Sequence, residues 1–210
     1  MRITLHFLCL LTGIALLAGC KSTKSLPASS EDFHEKGMRI VQGKSVFHLD
    51  DEYNAVPLSK ATFSIQFQNT PYDPDKNLYG AAQIVAFSRS KDMTEVSSGI
   101  PVSNIPFYEP GTGLAGPYDG GYLFVDEPNG HHYIFYSTSA SEPTRCDLLG
   151  NGPGNLLNLS YTVNNLDFQG KMMSVKKWKS DYLYLVIFID RNSNKIVDKG
   201  EFARVAIRFS

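Results

Sequence analysis

Oxygen-bearing side chains recur at alternate positions near the C-terminal end of this 210-residue chain. Asp190, Asn192 and Asn194 are followed by Asp198 and Glu201 within one stretch of twelve residues. Calcium prefers carboxylate and amide oxygens, and several of them must surround the ion at once. The spacing therefore points to the binding of a divalent cation.

Residues 190–201 resemble the calcium-binding loop of EF-hand proteins. That family takes its ligands from loop positions 1, 3, 5, 7, 9 and 12. The apolar Val197 stands at position 8, as it does in that family. The resemblance implies a ligand set made of the side chains of Asp190, Asn192, Asn194, Asp198 and Glu201 and the main-chain carbonyl of Ile196.

The loop departs from the family at position 6, where Lys195 replaces glycine. A sharp turn favours glycine, so we expect Lys195 to be strained or the chain to take another path. The flanking segments read as strands, which predicts a strand–loop–strand variant. Because cationic side chains lie close by, we expect weak calcium affinity, in the range of about 0.1–1 mM. The alternative is a solvated hairpin loop whose Asp and Asn side chains bond their own backbone.

A second stretch, Asp73-Pro74-Asp75-Lys76-Asn77, repeats the first three spaced oxygens. Ile84 occupies the position of the closing glutamate, so we interpret this stretch as a turn and not as a cation site.

The N-terminal end combines Arg2 with an apolar run over residues 3–18. This run is shorter than the ~20 residues that a membrane-spanning helix needs, which favours a secretory signal. The run closes with Leu17-Ala18-Gly19-Cys20, which resembles the lipobox of bacterial lipoproteins. The resemblance implies cleavage before Cys20, a diacylglyceryl thioether on its sulfur and an acylated amine. The alternative is an ordinary signal peptide that ends near a cysteine.

Lipidation would anchor the chain to a membrane outside the cytoplasm, since two or more acyl chains bind stably. Lys21, not Asp, follows the cysteine. By resemblance to lipoprotein sorting in Gram-negative bacteria, this favours the outer membrane, facing the periplasm or the cell surface. We expect a signal peptide over residues 1–19, a lipidated cysteine and flexible tether over 20–30, and one domain over 31–210.

Charge and cysteine content narrow the function further. Without Arg2, the mature chain has 19 basic and 21 acidic residues, a formal charge of −2 that gives no electrostatic case for nucleic acid. Cys9 is lost with the signal and Cys20 carries lipid, so Cys146 is left without an intramolecular partner. We expect Cys146 to be a small buried residue.

A Gly/Pro-rich segment over residues 106–121 is the second candidate site. Residues 111–116 match the dinucleotide fingerprint GxGxxG, but the neighbouring prolines and glycines leave no helix to follow it. Long loops often carry binding residues, and Phe107, Tyr108 and Tyr118 are the candidates here. The alternative is a loop that covers a sheet edge.

The surrounding elements read as strands. Apolar residues alternate with polar ones over residues 63–67 and 205–209, and residues 182–189 are apolar on both faces, as in a central strand. Residues 122–125 and 133–136 flank Glu127-Pro128-Asn129-Gly130, which suits a hairpin turn. Further strands are expected over 156–163 and 172–178, and a glycine-rich loop over 147–155. The pattern predicts an all-β fold, an antiparallel β-sandwich or open barrel in a single domain.

Three functions are compatible with these observations. The first is a non-enzymatic, membrane-anchored module that binds an envelope protein or glycan or stabilises an envelope assembly. The second is a hydrolase or carbohydrate-active enzyme built from scattered carboxylates such as Asp50, Asp51, Asp126 and Glu127. The third is a calcium-dependent adhesion or ligand-binding module.

Overall fold

Alternating apolar residues become strands throughout the computed structural model, which describes residues 33, 37–50, 53–105, 122–125, 133–168 and 171–210. One helical turn, α1 (Ser90–Met93), and 3-10 turns at Pro74–Lys76, Val102–Asn104 and Val175–Lys177 lie between strands. The strands are β1 (Met38–Gln42), β2 (Ser45–His48), β3 (Tyr53–Leu58), β4 (Phe63–Asn69), β5 (Tyr72–Asp73), β6 (Leu78–Tyr79), β7 (Ala82–Phe87), β8 (Tyr122–Val125), β9 (Tyr133–Ile134), β10 (Asp147–Asn151), β11 (Leu157–Val163), β12 (Asn165–Phe168), β13 (Lys171–Ser174), β14 (Tyr182–Phe188) and β15 (Phe202–Phe209).

Five strands form one antiparallel sheet in the order β10-β11-β4-β1-β2. Its central strand, β4, buries Phe63, Ile65 and Phe67 on one face, as the alternation of the sequence predicted. The intervening Ser64 and Gln66 are only partly buried, so the other face is polar.

The second, larger sheet has the order β13-β12-β8-β7-β14-β15-β3, with β9 also paired to β7. β14 lies between β7 and β15, which confirms the prediction of a central strand. The edge strand β3 runs parallel to β15. The described strands form an all-β, sandwich-like single domain and do not close into a barrel.

The main core joins the inner faces of the two sheets. Ile65 and Phe67 from the first sheet lie in one buried cluster with Leu185 and Val205 from the second. A second cluster covers part of the outer face of the larger sheet, where Val186 and Phe188 pack with residues from segment 93–105. Burying one such side chain contributes about 1.5–3 kcal/mol. The central strand is therefore apolar on both faces because each face has its own core.

The predicted hairpin between residues 122–125 and 133–136 is wrong. Phe124 pairs with Val85 of β7, and Tyr133 pairs with Gln83 of the same strand, antiparallel in both cases. β8 and β9 therefore follow one another along the same side of β7 and cannot be antiparallel partners. The Pro-Gly pattern predicted an interruption between two strands, but it carried no information about which strand they pair with.

The predicted loop over residues 147–155 is also partly wrong, because its first half is β10. Asp147 pairs with Ser160 of β11, and the register shifts between Leu148 and Gly150. Main-chain pairing needs no particular side chain, so a glycine-rich sequence can still form a bulged edge strand. In the predicted strand over 172–178, extended structure ends at Ser174 and a 3-10 turn follows.

Cys146 is a free, buried member of the main core, as predicted. Burial, aided by the negative charge of Asp147, raises the pKa of the thiol to about 12. The thiol is therefore protonated and unreactive at neutral pH.

Several predictions concern residues that lie outside the described ranges. They are the lipidation site Cys20 and its tether, the loop candidates Phe107, Tyr108 and Tyr118, and the carboxylates Asp51, Asp126 and Glu127. Among the described residues, no helix has both the length and the apolar character to cross a bilayer.

Candidate cation-binding loop

Residues 190–201 connect β14 and β15, which are adjacent and are the two longest strands of the larger sheet. Phe188 pairs with Phe202, and the Ile189 N–H donates to the carbonyl oxygen of Glu201 at 2.7 Å. The loop therefore begins and ends at adjacent points of one hairpin. This confirms the expected strand–loop–strand arrangement.

Two non-glycine residues in the left-handed region fold the loop back. Ser193 has a φ of 58° and Lys195 a φ of 61°. Of the two expectations for Lys195, the strained conformation is the one observed. A left-handed conformation costs an ordinary residue about 1–2 kcal/mol. The surrounding hydrogen bonds must offset that cost.

The Asp190 carboxylate helps to offset the cost of the left-handed residues because it accepts two backbone N–H groups of the turn. Its Oδ1 accepts the Asn194 N–H at 3.2 Å, and its Oδ2 accepts the Lys195 N–H at 3.0 Å. The side-chain oxygens of Asn192 and Asn194 each accept the N–H two residues further on, at 3.0 and 2.8 Å. The oxygens at 190, 192 and 194 thus share one turn.

Asp198 closes the loop from the opposite side. Its Oδ2 accepts the amide Nδ2 of Asn192 at 2.8 Å and that of Asn194 at 2.7 Å. Two amides converge on one carboxylate oxygen, which brings the predicted ligands 192, 194 and 198 into direct contact. The amide nitrogens face Asp198 here, so a cation in the loop would compete with these two hydrogen bonds.

Glu201 is the buried end of the loop, with only 5% of its surface exposed. Its two carboxylate oxygens accept the N–H groups of Arg191 at 2.9 Å and Asp198 at 3.3 Å. Burial raises the pKa of Glu201, the two N–H donors oppose that rise, and the negative charge of Asp190 adds to it. A bound cation would remove this penalty on the charged form.

The middle of the loop is tied to the outer core. Val197 is fully buried there, and its N–H donates to the Ile100 carbonyl at 2.9 Å. The Val197 carbonyl accepts the Gly99 N–H at 2.8 Å, and the Lys195 carbonyl accepts the Val102 N–H at 2.9 Å. Ile196, the predicted carbonyl ligand, lies between these bonded residues with its side chain 37% exposed. The contact with 99–102 spans almost a hundred residues of chain and has no local sequence signal.

The donor chemistry of the loop suits a hard cation. An amide oxygen has two lone pairs, so Asn192 and Asn194 can accept an N–H and still bind an ion. Throughout the described ranges, however, no three His, Cys, Asp or Glu side chains are placed to hold a metal together. A site here would therefore depend on the asparagines and a main-chain carbonyl as well as on carboxylates.

The stretch 73–77 forms the turn that was predicted for it. Pro74–Lys76 is a 3-10 turn, and Asn77 is left-handed with a φ of 56°. Asp73 is 2% exposed, and its Oδ2 lies 2.6 Å from Lys76 Nζ and accepts the Thr138 hydroxyl at 2.9 Å. The hydrogen bond from Lys76 is the main reason why the pKa of Asp73 falls below its usual value.

Comparisons with protein families, curated proteins and solved structures found nothing that matches this chain.

Proposed function

We propose that this protein is a lipid-anchored binding module of the bacterial cell envelope, with calcium bound in loop 190–201. The observation that carries the envelope assignment is Leu17-Ala18-Gly19-Cys20 at the end of an apolar signal. A binding role is favoured over a catalytic one because the sequence holds no GxSxG or HExxH motif. The partner would be an envelope protein or glycan, reached from the outer membrane across the tether 20–30.

The anchor is tested by blocking lipoprotein processing. Globomycin inhibits the signal peptidase that cleaves lipoproteins, so it should make a precursor accumulate with residues 1–19 attached. A Cys20→Ser chain should leave the membrane fraction, while a Cys9→Ser chain should stay there. Membrane fractionation of Cys20→Ser identical to that of the unaltered chain would contradict the anchor.

The calcium proposal is supported by the side-chain oxygens of Asp190, Asn192 and Asn194, which share one turn, and by the buried carboxylate of Glu201 at the end of the loop. Binding to the folded state stabilises it by mass action. With a dissociation constant of ~0.1–1 mM, about 10 mM calcium would add roughly 1.4–2.7 kcal/mol. For a domain of this size, that corresponds to a rise of about 3–10 °C in melting temperature.

The test is thermal melting of the full chain in detergent, in calcium and in chelator. Asp190→Ala should abolish the calcium-dependent rise. Asp75→Ala is the matched control, because Asp75 is an exposed carboxylate of the other aspartate turn, and it should keep the rise. An unaltered chain that melts at the same temperature in both buffers would remove the metal from the proposal.

A further inference from the structure

The outer face of the larger sheet is only partly covered. The end of this face next to loop 190–201 carries the second core, where Val186 and Phe188 pack under segment 93–105. Beyond this core, the outward side chains include Tyr182 and Tyr184 of β14, Arg204 and Arg208 of β15, and Tyr53 of β3. We term these five residues the tyrosine–arginine face. Tyr53 is 58% exposed and Tyr182 is 41% exposed.

The strand register fixes the layout of this face. Tyr182 lies opposite Arg208, and Arg204 lies opposite Tyr53 on the other side of β15. Strand spacing and rise place the backbones of Tyr53 and Tyr182 roughly 16 Å apart. Buried Ala206 separates the two arginines, so no large side chain stands between them. The rings of Tyr182 and Tyr184 are nearly parallel, with an interplanar angle of 5°.

The strands of this face carry two arginines without an acidic partner, and the Arg204 guanidinium lies 5.8 Å from the centre of the Phe202 ring. No outward position of β14, β15 or β3 here is acidic. Asp181, the nearest carboxylate along the chain from Tyr182, is 3.4 Å from Lys60 Nζ and so has its own cation. The buried Nε of Arg204 has no hydrogen-bond partner among the described residues. The described strands of this face therefore carry a net positive charge from Arg204 and Arg208.

We propose that the tyrosine–arginine face binds an anionic polysaccharide whose sugar rings carry carboxylates. A guanidinium group matches a carboxylate with two parallel hydrogen bonds. The π-face of a tyrosine ring is electron-rich and attracts the slightly positive C–H groups on the flat side of a sugar ring. The two arginines of β15 lie between Tyr182 and Tyr184 of β14 on one side and Tyr53 of β3 on the other, an arrangement that suits a chain carrying both carboxylates and flat apolar faces.

A sheet takes up an extended peptide at an edge, through main-chain hydrogen bonds. The edge here is β3, and Pro57 lacks one of the N–H groups that such pairing needs. The exposed tyrosines instead lie on the face, where a sugar chain can stack. This inference narrows the partner class of the envelope module and so rests on the proposed binding function.

The test uses the full chain in non-ionic detergent with chelator present, so that calcium plays no part. The probe is a hexasaccharide with glucuronate at alternate positions. Its matched control is the same hexasaccharide with the carboxylates reduced to alcohols. We expect saturable binding of the charged probe, measured by calorimetry, and affinity at least about tenfold weaker for the reduced one.

The double variant Arg204→Ala/Arg208→Ala should weaken binding about tenfold or more. Lys176→Ala/Lys177→Ala removes the same charge from an exposed turn at the far edge of the sheet and should change affinity by less than about twofold. If the arginine double variant does not fold, Arg208→Lys keeps the charge, loses the two-pronged donor and should still weaken binding. Tyr53→Ala should also weaken it, because Tyr53 is exposed and available for stacking.

Three results would overturn the inference: no binding of the charged probe, equal losses in the arginine and lysine double variants, or tighter binding of an oligoglutamate peptide or of anionic vesicles. Each of these leaves the globomycin result untouched. If the chain is lipidated but does not bind the charged probe, only the proposed partner class is wrong, and the membrane anchor stands.

Discussion

Two turns of this molecule begin with oxygen-bearing residues at alternate positions, and they treat their negative charge in opposite ways. In the 73–77 turn, Asp73 is buried against Lys76 Nζ and the Thr138 hydroxyl. In loop 190–201, Asp190 and Glu201 accept backbone N–H groups, and Asp198 accepts amides. The first turn neutralises its carboxylate with a cation of its own chain. The second satisfies its carboxylates mainly with backbone and side-chain amide N–H donors, and the charge of Arg191 lies close enough to interact with Glu201.

In line with this difference in partners, the pKa values of the two buried carboxyl groups, Asp73 and Glu201, shift in opposite directions. The hydrogen bond from Lys76 lowers the pKa of Asp73, whereas burial raises the pKa of Glu201. Alternate oxygens along the chain do not by themselves make a cation site. What separates the two turns is the position of lysine: Lys76 reaches back to Asp73, while Lys195 offers Asp190 its backbone N–H.

Removing the charge of Asp73 in the 73–77 turn should cause the largest loss of stability. Asp73→Asn leaves Lys76 and Thr138 without their charged partner, so the melting temperature should fall at neutral pH. Because the pKa of Asp73 is lowered on folding, its contribution is present above 3.8, the usual value, and is lost as the pH falls through the lowered value.

The measurement is a melting series from neutral to acid pH for both chains. The gap between them should close in acid, and it should shrink in high salt because Lys76 is largely exposed. A constant gap across the series would mean that Asp73 acts through packing and not through its charge.

Loop 190–201 should show the opposite pH dependence. Because the pKa of Glu201 is raised on folding, its contribution is fully present below the usual value of 4.5 and is lost as the pH rises through the raised value. In chelator, Glu201→Gln should therefore lose less stability than the unaltered chain as the pH rises. If both chains followed the same pH profile in chelator, burial of Glu201 would carry no electrostatic penalty.

The smallest effect on stability concerns one left-handed residue in each turn, Lys195 and Asn77. Lys195→Gly relieves strain of about 1–2 kcal/mol but adds about 0.5–1 kcal/mol of chain entropy, so a net gain of roughly 0.5 kcal/mol is expected. Asn77→Gly is the matched control, since asparagine tolerates this conformation, and it should change stability by less than about 0.5 kcal/mol. Denaturant unfolding in chelator measures both, and a loss of stability in Lys195→Gly would show that the lysine side chain is needed.

The local pattern of apolar and polar residues predicted the strands well where a hydrophobic core buries one or both faces of the strand. Phe63, Ile65 and Phe67 alternate because one face of β4 meets the main core. Residues 185–189 lack alternation because two cores bury this part of the strand from both sides. The turn at 73–77 and the buried Cys146 followed from similarly local reasoning.

What the sequence could not supply was pairing between distant segments. The succession of β8 and β9 along β7, the bulged β10 and the bonds from 99–102 to Val197 depend on main-chain donors and acceptors that every residue has. The tyrosine–arginine face was missed for the same reason. Its members come from three strands, and Tyr53 is more than a hundred residues from Arg204.

We propose that loop 190–201, and not the 73–77 turn, binds calcium. Equilibrium dialysis of the full chain against radioactive calcium tests it most directly. We predict one ion bound per chain at millimolar calcium, lost in Asp190→Ala and retained in Asp75→Ala. Absence of bound calcium at about ten millimolar, or full retention by Asp190→Ala, would contradict the account.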